Sequence, residues 1–297
     1  MPNKTTKNGR IVKCKNGFFT VETNDSGTCL CKAATRLRYE KKTLLPGDIA
    51  VYEDNSDGTG FVVDIMPRKN SFIRPGIANA DVFVIVVATA MPEPLLYNID
   101  KLTAVFAAQN TEIVIAANKI DIKSANELVE IYSKCGFKTF AVQAEKGIGT
   151  DEIKKCIDGK LTVFCGASGV GKSSLLNALY PKFKAEIGLL SEKIERGKNT
   201  TRCTELYKTS ESGYIADTPG FSMIDFEHFD MLKFDDLKYA FPEMQPFLGE
   251  CKYRKCTHTK EEGCAVIQAV INGMIPQSRH ESYVKIFEEL KLKPRYE

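Results

Sequence analysis

The chain has 297 residues, a formal net charge of +3 and 27% charged residues. Its length exceeds that of a typical single domain and predicts two or three, and it contains no internal repeat or low-complexity tract. No leader peptide opens the chain and no long apolar segment follows, which argues against a secreted or membrane-spanning protein. We therefore predict a location in the reducing cytoplasm.

The N-terminal segment predicts an all-β domain. Short alternating runs, separated by turn residues, indicate strands in residues 9–23, 28–39, 48–53 and 61–65. Four or five short strands in about 65 residues suit a small barrel such as the OB-fold. Residues 1–48 hold ten Lys and Arg against four acids, which favours RNA binding over the alternative of a solvated Lys-rich surface.

A polar, proline-bounded linker is predicted for residues 67–75. From residue 81 the pattern changes to buried strands that alternate with helices. The clearest strand covers residues 81–88, and a helix follows over residues 98–109. This alternation predicts an α/β domain with a parallel sheet.

A guanine-reading loop is predicted where Asn118, Lys119, Ile120 and Asp121 follow the buried strand of residues 112–117. The Asp121 carboxylate only accepts hydrogen bonds, so it can take both N1–H and the exocyclic amine of guanine. Adenine presents an acceptor at N1 and would leave that carboxylate unpaired. Asn118 would hold the loop, and the Lys119 stem would lie along the base.

A phosphate-binding loop is predicted after the apolar strand of residues 161–165. Residues 166–173 fit the G-x-x-x-x-G-K-[ST] pattern, and a helix opens at Ser173. Backbone N–H groups and the helix N-terminus favour an anion. Lys172 would reach the β- and γ-phosphates, and the Ser173 hydroxyl would ligate Mg²⁺. A Gly-rich turn without a ligand is the alternative, and the strand–loop–helix setting argues against it.

The order of these two loops is inverted, because common GTPases run the phosphate loop first and the base-reading loop last. The inversion predicts a circularly permuted GTPase domain. Gln143 and Ala144 occupy the place of the second base-contacting loop, where Ser-Ala is usual. The predicted nucleotide-binding residues are Asn118, Lys119, Ile120, Asp121, Gln143, Ala144, Gly166, Ala167, Ser168, Gly169, Val170, Gly171, Lys172, Ser173 and Ser174.

Two switch elements follow the phosphate loop. Asp217 and Gly220 form a D-x-x-G pattern in which Asp217 would bind Mg²⁺ and the Gly220 N–H would meet the γ-phosphate. Residues 197–202 offer Thr200 and Thr201 for the first switch, and the sequence leaves open which of them meets Mg²⁺. The predicted catalytic residues are Lys172, Ser173, Asn199, Thr200, Thr201, Asp217 and Gly220.

One residue type is missing from the second switch. Phe221 stands where Ras-type GTPases carry the glutamine that orients the attacking water. A phenyl ring cannot activate water, so we expect slow hydrolysis by the isolated protein. Another molecule must then supply the missing group, which predicts a partner.

A metal centre is predicted near the C-terminus, where Cys251, Cys256, His258 and Cys264 lie within fourteen positions. Three thiols and one imidazole suit one tetrahedral, structural Zn²⁺ with no open position for catalysis. Reduced packing cysteines or a disulfide are the alternatives, and a reducing compartment disfavours the disulfide. The surrounding segment is small, so zinc would contribute on the order of 10 kcal/mol to its folding.

Together these motifs resemble the RsgA family of small-ribosomal-subunit-dependent GTPases. The resemblance covers nearly the whole chain, including Arg68-Lys69-Asn70 in the linker and Ser278-Arg279-His280 before the last predicted helix. It implies an OB-fold RNA-binding domain over residues 1–67, a circularly permuted α/β P-loop GTPase domain over residues 75–238 and a mainly helical zinc-binding domain over residues 239–297.

The resemblance also implies a function. A protein of this family would bind GTP, GDP and Mg²⁺, and would contact the 30S subunit and its 16S rRNA late in maturation. Hydrolysis would be stimulated by the subunit. We further expect a monomer that does not bind membranes, with guanosine tetraphosphate as a possible inhibitor at the guanine site.

The chain departs from the family at Asn199, where members commonly carry a histidine. Asparagine hydrogen-bonds water but is no general base near neutral pH. The sequence leaves three interpretations open. Asn199 only positions water, or the ribosome supplies more of the catalysis, or this chain hydrolyses GTP poorly. A ribosome-activated GTPase is favoured. Asn199 and Phe221 keep open the alternative of a nucleotide-gated rRNA-binding switch with little hydrolysis, and the intact Lys172, Ser173, Asp217 and Asp121 argue against a zinc protein with a purely structural GTPase domain.

Overall fold

A computed structural model of the chain describes residues 6–23, 25, 27–40, 42–73, 75–181, 204–217 and 232–292, with the side chains of Arg38 and Asp217 excepted. The chain forms two compact units. The first contains Met1–Asp81, Ile157–Phe164 and Lys193–Pro219, and the second contains Val82–Cys156, Cys165–Glu192 and Gly220–Glu297.

The strands of the described residues, numbered in chain order, are β1 Thr6–Lys15, β2 Phe18–Glu22, β3 Thr28–Ala33, β4 Ile49–Asp54, β5 Thr59–Ile65, β6 Ser71–Phe72, β7 Ile77–Ala78, β8 Val82–Ala88, β9 Glu112–Asn118, β10 Lys138–Val142, β11 Leu161–Cys165, β12 Glu205–Lys208 and β13 Tyr214–Asp217. The α-helices are α1 Thr35–Tyr39, α2 Leu96–Ala108, α3 Asn126–Lys134, α4 Thr150–Ile157, α5 Lys172–Leu179, α6 Ala265–Ile271 and α7 Gln277–Leu292. Short 3₁₀ helices cover Ala144–Lys146, Phe234–Ala240 and Pro242–Phe247.

The first unit is built on a closed β-barrel. Strand β1 pairs with β2, β2 with β3, β3 in parallel with β5, β5 with β4, and β4 back with β1. Closure leaves no free edge among these strands. Alternate residues point inward, and the barrel core contains Ile11, Val21, Cys29, Cys31, Leu37, Leu44, Ala50, Tyr52 and Val62. The predicted N-terminal barrel is confirmed.

The run predicted as strand over residues 28–39 is strand only in its first half. Strand β3 ends at Ala33, and helix α1 covers Thr35–Tyr39. Leu37 on this helix is fully buried in the barrel core. A short helix can bury one large side chain as a strand does, so the hydrophobic pattern alone did not separate the two.

Described residues of the predicted linker form hydrogen bonds within the first unit. The guanidinium of Arg68 donates to both carboxylate oxygens of the buried Asp48, at 2.7 and 2.8 Å. Asn70 exchanges two 2.9 Å hydrogen bonds with the backbone of Ala80. These contacts give the segment defined positions within the first unit.

Three later strands also belong to the first unit. Strand β11 pairs in parallel with β13, and β13 pairs antiparallel with β12. Strand β12 adds to the barrel strand β1 at Lys13 and Glu205, whose side chains form a 2.6 Å ion pair. The strands that flank the two predicted switch segments are therefore attached to the barrel.

The second unit contains a parallel sheet of β8, β9 and β10. Strand β8 is buried along its whole length, as a continuous apolar run predicts. Helix α2 packs on this sheet, with the rings of Phe83 and Phe106 stacked at 3.7 Å between centroids. The predicted alternation of strands and helices is confirmed here.

A buried ion cluster holds the C-terminal helices of the second unit. Arg279 on α7 is fully buried and donates to Glu243 at 2.6 Å and to Asp100 on α2 at 2.7 Å. Its Nη1 also donates to the hydroxyl of Thr103 at 2.9 Å, and the hydroxyl of Tyr132 donates to Asp100 at 2.9 Å.

Among the described residues, no helix has the length and hydropathy to cross a bilayer.

Candidate nucleotide site and metal centre

All three glycines of the phosphate loop, residues 166–171, have left-handed backbone, and two of them lie against neighbouring elements. Gly166 has φ of +139°, and a Cβ there would lie 2.2 Å from the Val86 carbonyl oxygen. Gly171 has φ of +93°, and a Cβ there would lie 2.2 Å from Nδ2 of Asn118. A side chain at either position would therefore displace the loop from the elements beside it.

The predicted phosphate-binding side chains stand at the start of helix α5. Lys172 is its first residue, and its ammonium donates to the carbonyls of Gly166 at 2.7 Å and Ala167 at 2.8 Å. Ser173 and Ser174 lie in the same first turn, where helix N–H groups lack partners within the helix. The loop tip, Ala167 to Gly169, is exposed, whereas Gly166 and Val170 are buried.

Asn118 joins three loops of the second unit. Its side chain is 3% exposed, and its Nδ2 donates to the Val170 carbonyl of the phosphate loop at 2.9 Å. Its Oδ1 accepts the backbone N–H of Ala144 at 3.0 Å. The base-reading loop, the phosphate loop and the second base-contacting loop are therefore held by one amide, which is the role that the sequence predicts for it.

The remaining base-reading residues are presented by a strained turn. Lys119 has φ of +69°, and its ammonium donates to the Met91 carbonyl. Asp121 is exposed, and its carboxylate accepts no hydrogen bond from the described residues. Ile120 donates its N–H to the Val142 carbonyl at 3.5 Å. Within the described part of the chain, no hydrogen-bond donor competes with a ligand for the Asp121 carboxylate.

The second base-contacting loop is a small turn at the end of β10. Gln143 pairs with Ile148 through two backbone hydrogen bonds of 3.0 and 3.1 Å. Ala144 is buried and opens the 3₁₀ helix Ala144–Lys146. The Ala144 N–H donates to Oδ1 of Asn118, so this loop is positioned by its backbone rather than by the Gln143 side chain.

Thr89 and Met91 support the site and were not predicted. The Thr89 hydroxyl donates to the Lys119 carbonyl at 2.8 Å, and the Thr89 N–H donates to the Asn118 carbonyl at 2.8 Å. The sequence gives one usable indication, because Thr89 directly follows the buried strand β8, whose carboxyl end belongs to the ligand-binding edge of such sheets.

Several predicted catalytic positions lie outside the described residues. These are Asn199, Thr200, Thr201 and Gly220, together with Phe221. Asp217 is described in its backbone only, as the last residue of strand β13.

The predicted metal ligands converge in the C-terminal region of the second unit. One ligand atom from each of Cys251, Cys256, His258 and Cys264 lies within 4.8 Å of the others. The two sulfurs of Cys251 and Cys264 are 3.8 Å apart, and His258 Nδ1 is 3.5 Å from each of them. Tetrahedral zinc bond lengths imply edges of about 3.8 Å between two sulfurs and about 3.6 Å between sulfur and nitrogen. The cluster fits zinc.

Protonation in the cluster also suits a cation. Burial raises the pKa of Cys256 to about 12 and raises that of Cys264, so thiolates here require a compensating positive charge. Burial lowers the pKa of His258, which keeps the imidazole neutral, the form that ligates metals.

Glu261 holds the loop that carries two of these ligands. Its carboxylate accepts the N–H of Thr257 at 2.7 Å, Thr259 at 3.0 Å and Lys260 at 3.1 Å, and also the Thr257 hydroxyl. Burial raises its pKa, but hydrogen bonds from Thr257 and Lys260 outweigh burial and lower it to about 2. The carboxylate therefore stays charged and fixes the loop.

Comparisons with known proteins agree with this architecture. A family profile described as RsgA GTPase matches residues 65–227, and one described as RsgA N-terminal domain matches residues 8–62. A relative from Alkaliphilus metalliredigens, named small ribosomal subunit biogenesis GTPase RsgA, is 38% identical over 293 residues, covering 97% of this chain and 99% of the relative. A relative of the same name from Halalkalibacterium halodurans is 40% identical, covering 95% and 97%.

Two solved structures are similar over the full length. YjeQ from Thermotoga maritima has a TM-score of 0.82 and 33% identity, covering 98% of this chain and 100% of that one. YloQ, described as a circularly permuted GTPase, has a TM-score of 0.79 and 31% identity, covering 100% and 99%.

Fold and loops define a class: a circularly permuted GTPase with an N-terminal β-barrel and a C-terminal helical region that carries a Cys/His cluster. Within that class, the chain belongs to the RsgA GTPase family. It is a GTP hydrolase, and membership of the family implies a guanine nucleotide and Mg²⁺ at the site.

Proposed function

We propose that this protein binds the 30S ribosomal subunit through its 16S rRNA, acts late in the maturation of that subunit, and is released after subunit-stimulated GTP hydrolysis. The observation that carries the proposal is the bridge at Asn118, which assembles the guanine and phosphate loops in inverted chain order. Relatives that align with at least 95% of this chain are named small ribosomal subunit biogenesis GTPases, which supports the small ribosomal subunit as the partner.

Within the site, Asp121 would read guanine, with Lys119 along the base and Gln143 and Ala144 beside it. Lys172 would neutralise the β- and γ-phosphates, and Gly220 would sense the γ-phosphate. Ser173, Asp217 and one of Thr200 and Thr201 would hold Mg²⁺, which stabilises charge that develops on the phosphate oxygens. The same pocket would accept guanosine tetraphosphate as an inhibitor.

Hydrolysis would depend on the ribosomal subunit. Phe221 offers no group to orient water, and Asn199 can position water but cannot take its proton near neutral pH. The subunit would then supply or order the missing group, so that GTP is consumed only on a bound particle.

The other proposed properties follow the same architecture. One structural Zn²⁺ would bind Cys251, Cys256, His258 and Cys264, supported by the tetrahedral spacing of their ligand atoms. The functional boundaries would be residues 1–67 for the RNA-binding barrel, 75–238 for the GTPase domain and 239–297 for the zinc domain. The protein would act as a cytoplasmic monomer.

A nucleotide-gated rRNA-binding switch with little hydrolysis is the second candidate. Asn199 and Phe221 favour it, because neither side chain can serve as a base for the attacking water. In that case GTP would control affinity for the subunit, and turnover would be incidental.

The test is GTP turnover by the full chain, alone and with purified 30S subunits. We expect strong stimulation by 30S that is lost in Lys172→Ala and kept in the control Lys155→Ala, a surface lysine on helix α4 paired with Glu152. Stimulation would also show that Asn199 is no barrier to hydrolysis.

Binding to 30S without stimulation would reject the enzyme role in favour of the switch. Asn199→His would then be the first variant to examine, since the family resemblance implies a histidine at this position. No binding to 30S in any nucleotide state would reject both candidates.

A further inference from the structure

A row of alternating charged and aromatic side chains crosses the outer surface of the barrel. The strand register places Lys15 of β1 opposite Phe18 of β2, Phe18 opposite Lys32 of β3, and Lys32 opposite Phe61 of β5. Residues opposite each other in adjacent strands share one face of the sheet. These four side chains, here called the barrel row, therefore form one continuous line.

The barrel row faces solvent. Phe18 is 40% exposed and Phe61 is 41% exposed, and Phe61 lies between the buried Gly60 and Val62. Leu30, in the adjacent row of the same face, is 47% exposed. Exposed large apolar side chains that cluster on one face mark an interaction surface more often than singly scattered ones do.

The two lysines of the row are not neutralised by the described residues. The ammonium of Lys32 lies 5.1 Å from the centroid of the Phe18 ring, and neither Lys32 nor Lys15 forms an ion pair within the described part of the chain. Other barrel lysines differ, because Lys7 pairs with Asp54 at 2.8 Å and Lys13 with Glu205 at 2.6 Å.

We propose that the barrel row binds single-stranded RNA, with bases stacked on Phe18 and Phe61 and phosphates neutralised by Lys15 and Lys32. The proposal rests on the proposed function and names the RNA-contacting surface within it. Base–aromatic stacking combined with a positive groove is the general chemistry by which small barrels hold single strands. Phe18 and Phe61 lie two strands apart, roughly 10 Å at the usual strand spacing, so they receive separate bases.

The composition of the row favours single-stranded RNA over the alternatives. The fully buried core of a protein–protein interface is depleted in lysine, whereas here a lysine stands between the two rings. Double-stranded RNA keeps its bases stacked inside and is recognised through phosphates and 2′-hydroxyls, so it would leave both phenyl rings without a partner. Alternating rings and cations fit a strand that offers bases and phosphates in turn.

Phe18→Trp gives a direct test, because the chain contains no tryptophan and the variant would carry a single reporter. The probe is an oligouridine of about twelve nucleotides, within the usual site size of one such barrel. We expect tryptophan fluorescence to be quenched as the oligonucleotide saturates. The matched control is Tyr39→Trp on helix α1, where Tyr39 is 84% exposed, and it should show no quenching.

Binding constants separate the rings from the charges. Phe18→Ala with Phe61→Ala should weaken oligouridine binding by about tenfold or more, with an unchanged salt dependence. Lys15→Gln with Lys32→Gln should lower the slope of log affinity against log salt by about 1.4, from about 0.7 for each phosphate contact. Phe18→Tyr with Phe61→Tyr keeps the rings and should bind like the parent. An unchanged thermal unfolding midpoint of the alanine pair excludes misfolding as the cause of its weaker binding.

The proposal is overturned if the parent does not bind oligouridine, if the fluorescence of the Phe18→Trp variant does not change on saturation, or if the alanine pair binds as the parent does. Loss of 30S binding by the alanine pair with unchanged oligouridine binding would assign the row to a ribosomal protein, and would also overturn it.

These outcomes are independent of the proposed GTPase function. None of the row residues belongs to the nucleotide site, so the alanine pair should keep the basal GTP turnover of the parent. Stimulation of the parent by 30S without an RNA-binding defect in the alanine pair would reject only the barrel row. An RNA-binding defect in a protein that 30S neither binds nor stimulates would reject only the proposed function.

Discussion

The nucleotide loops and the C-terminal helical region of the second unit are held in shape by different kinds of interaction. At the nucleotide loops, left-handed backbone at Gly166 and Gly171 sets the shape, and a single neutral side chain, the amide of Asn118, joins the loops. In the C-terminal region, charged and sulfur-bearing side chains set the shape, through the Cys/His cluster and the buried Arg279.

This difference matches what each region must do. A nucleotide site has to release its ligand in every cycle, and its loop tip and Asp121 are exposed. A structural metal site has to retain its ligand, and His258 and Cys264 are 4% and 3% exposed. If the comparison is right, substitutions in the C-terminal region cost fold stability, whereas those in the nucleotide loops mainly cost ligand affinity.

Cys264→Ala should have the largest effect. Removing one ligand of the proposed zinc site would abolish high-affinity zinc binding, and the loss would approach the order of 10 kcal/mol that a structural zinc site contributes to folding. We expect zinc content measured by mass spectrometry to fall from about one per chain to near zero. Protease cleavage should then begin in the C-terminal region.

The control for this prediction is Cys156→Ser, at a half-buried cysteine on helix α4. It should keep both zinc and protease resistance. The comparison fails if Cys264→Ala retains stoichiometric zinc, or if it loses nucleotide binding before its C-terminal region opens.

Arg279→Ala should come next. The truncation leaves Asp100 and Glu243 buried without their cation, and breaking a buried ion pair from one side costs about 3–5 kcal/mol. Chemical denaturation should show this as a lower midpoint. The control Lys138→Ala removes an exposed 2.8 Å pair with Glu112 and should change stability by about 1 kcal/mol or less. Equal effects of the two variants would contradict the importance of burial.

Asn118→Ala should affect the nucleotide loops. It leaves the Val170 carbonyl and the Ala144 N–H without their partner, which destabilises the joined loops by about 2–3 kcal/mol. Because the loops must be brought together to bind nucleotide, we expect GDP affinity to fall by up to about a hundredfold. Calorimetric titration with GDP measures it, with the exposed Asn126 replaced by alanine as control. A large drop in unfolding free energy without a change in GDP affinity would place Asn118 among fold-stabilising residues instead.

The sequence predicted the elements that depend on local pattern. The barrel, the parallel strands, the phosphate-loop pattern and the spacing of the four metal ligands were all predicted from residues close in sequence. Helix α1 within residues 28–39 was not distinguished from a strand, because burial of Leu37 satisfies either pattern.

What could not be predicted depends on contacts between distant positions. Arg279 meets Asp100 and Glu243, which are 179 and 36 positions away, so only the fold brings the three charges together. The barrel row likewise exists only through strand register, since a shift of one residue would turn Phe18 inward. Thr89 is a similar case, because its role depends on the neighbouring loop rather than on its own motif.

Glu261→Gln should have the smallest effect of the four variants, and it tests how far side-chain hydrogen bonds support the metal site. The amide still accepts hydrogen bonds through its oxygen, but it loses the charge and places an NH₂ group against backbone N–H donors of Thr257, Thr259 or Lys260. Replacing a residue that supports metal ligands lowers metal affinity by about 10–100-fold, and we expect this conservative replacement to lower it by about tenfold. Competition with a chelator measures this loss, and the adjacent exposed Glu262 replaced by glutamine should show none. If both variants release zinc alike, the loop is held by the metal alone, and the side-chain network around it has no separate part in the site. If only Glu261→Gln weakens zinc binding, the hydrogen bonds of Glu261 contribute to the metal affinity of the C-terminal region.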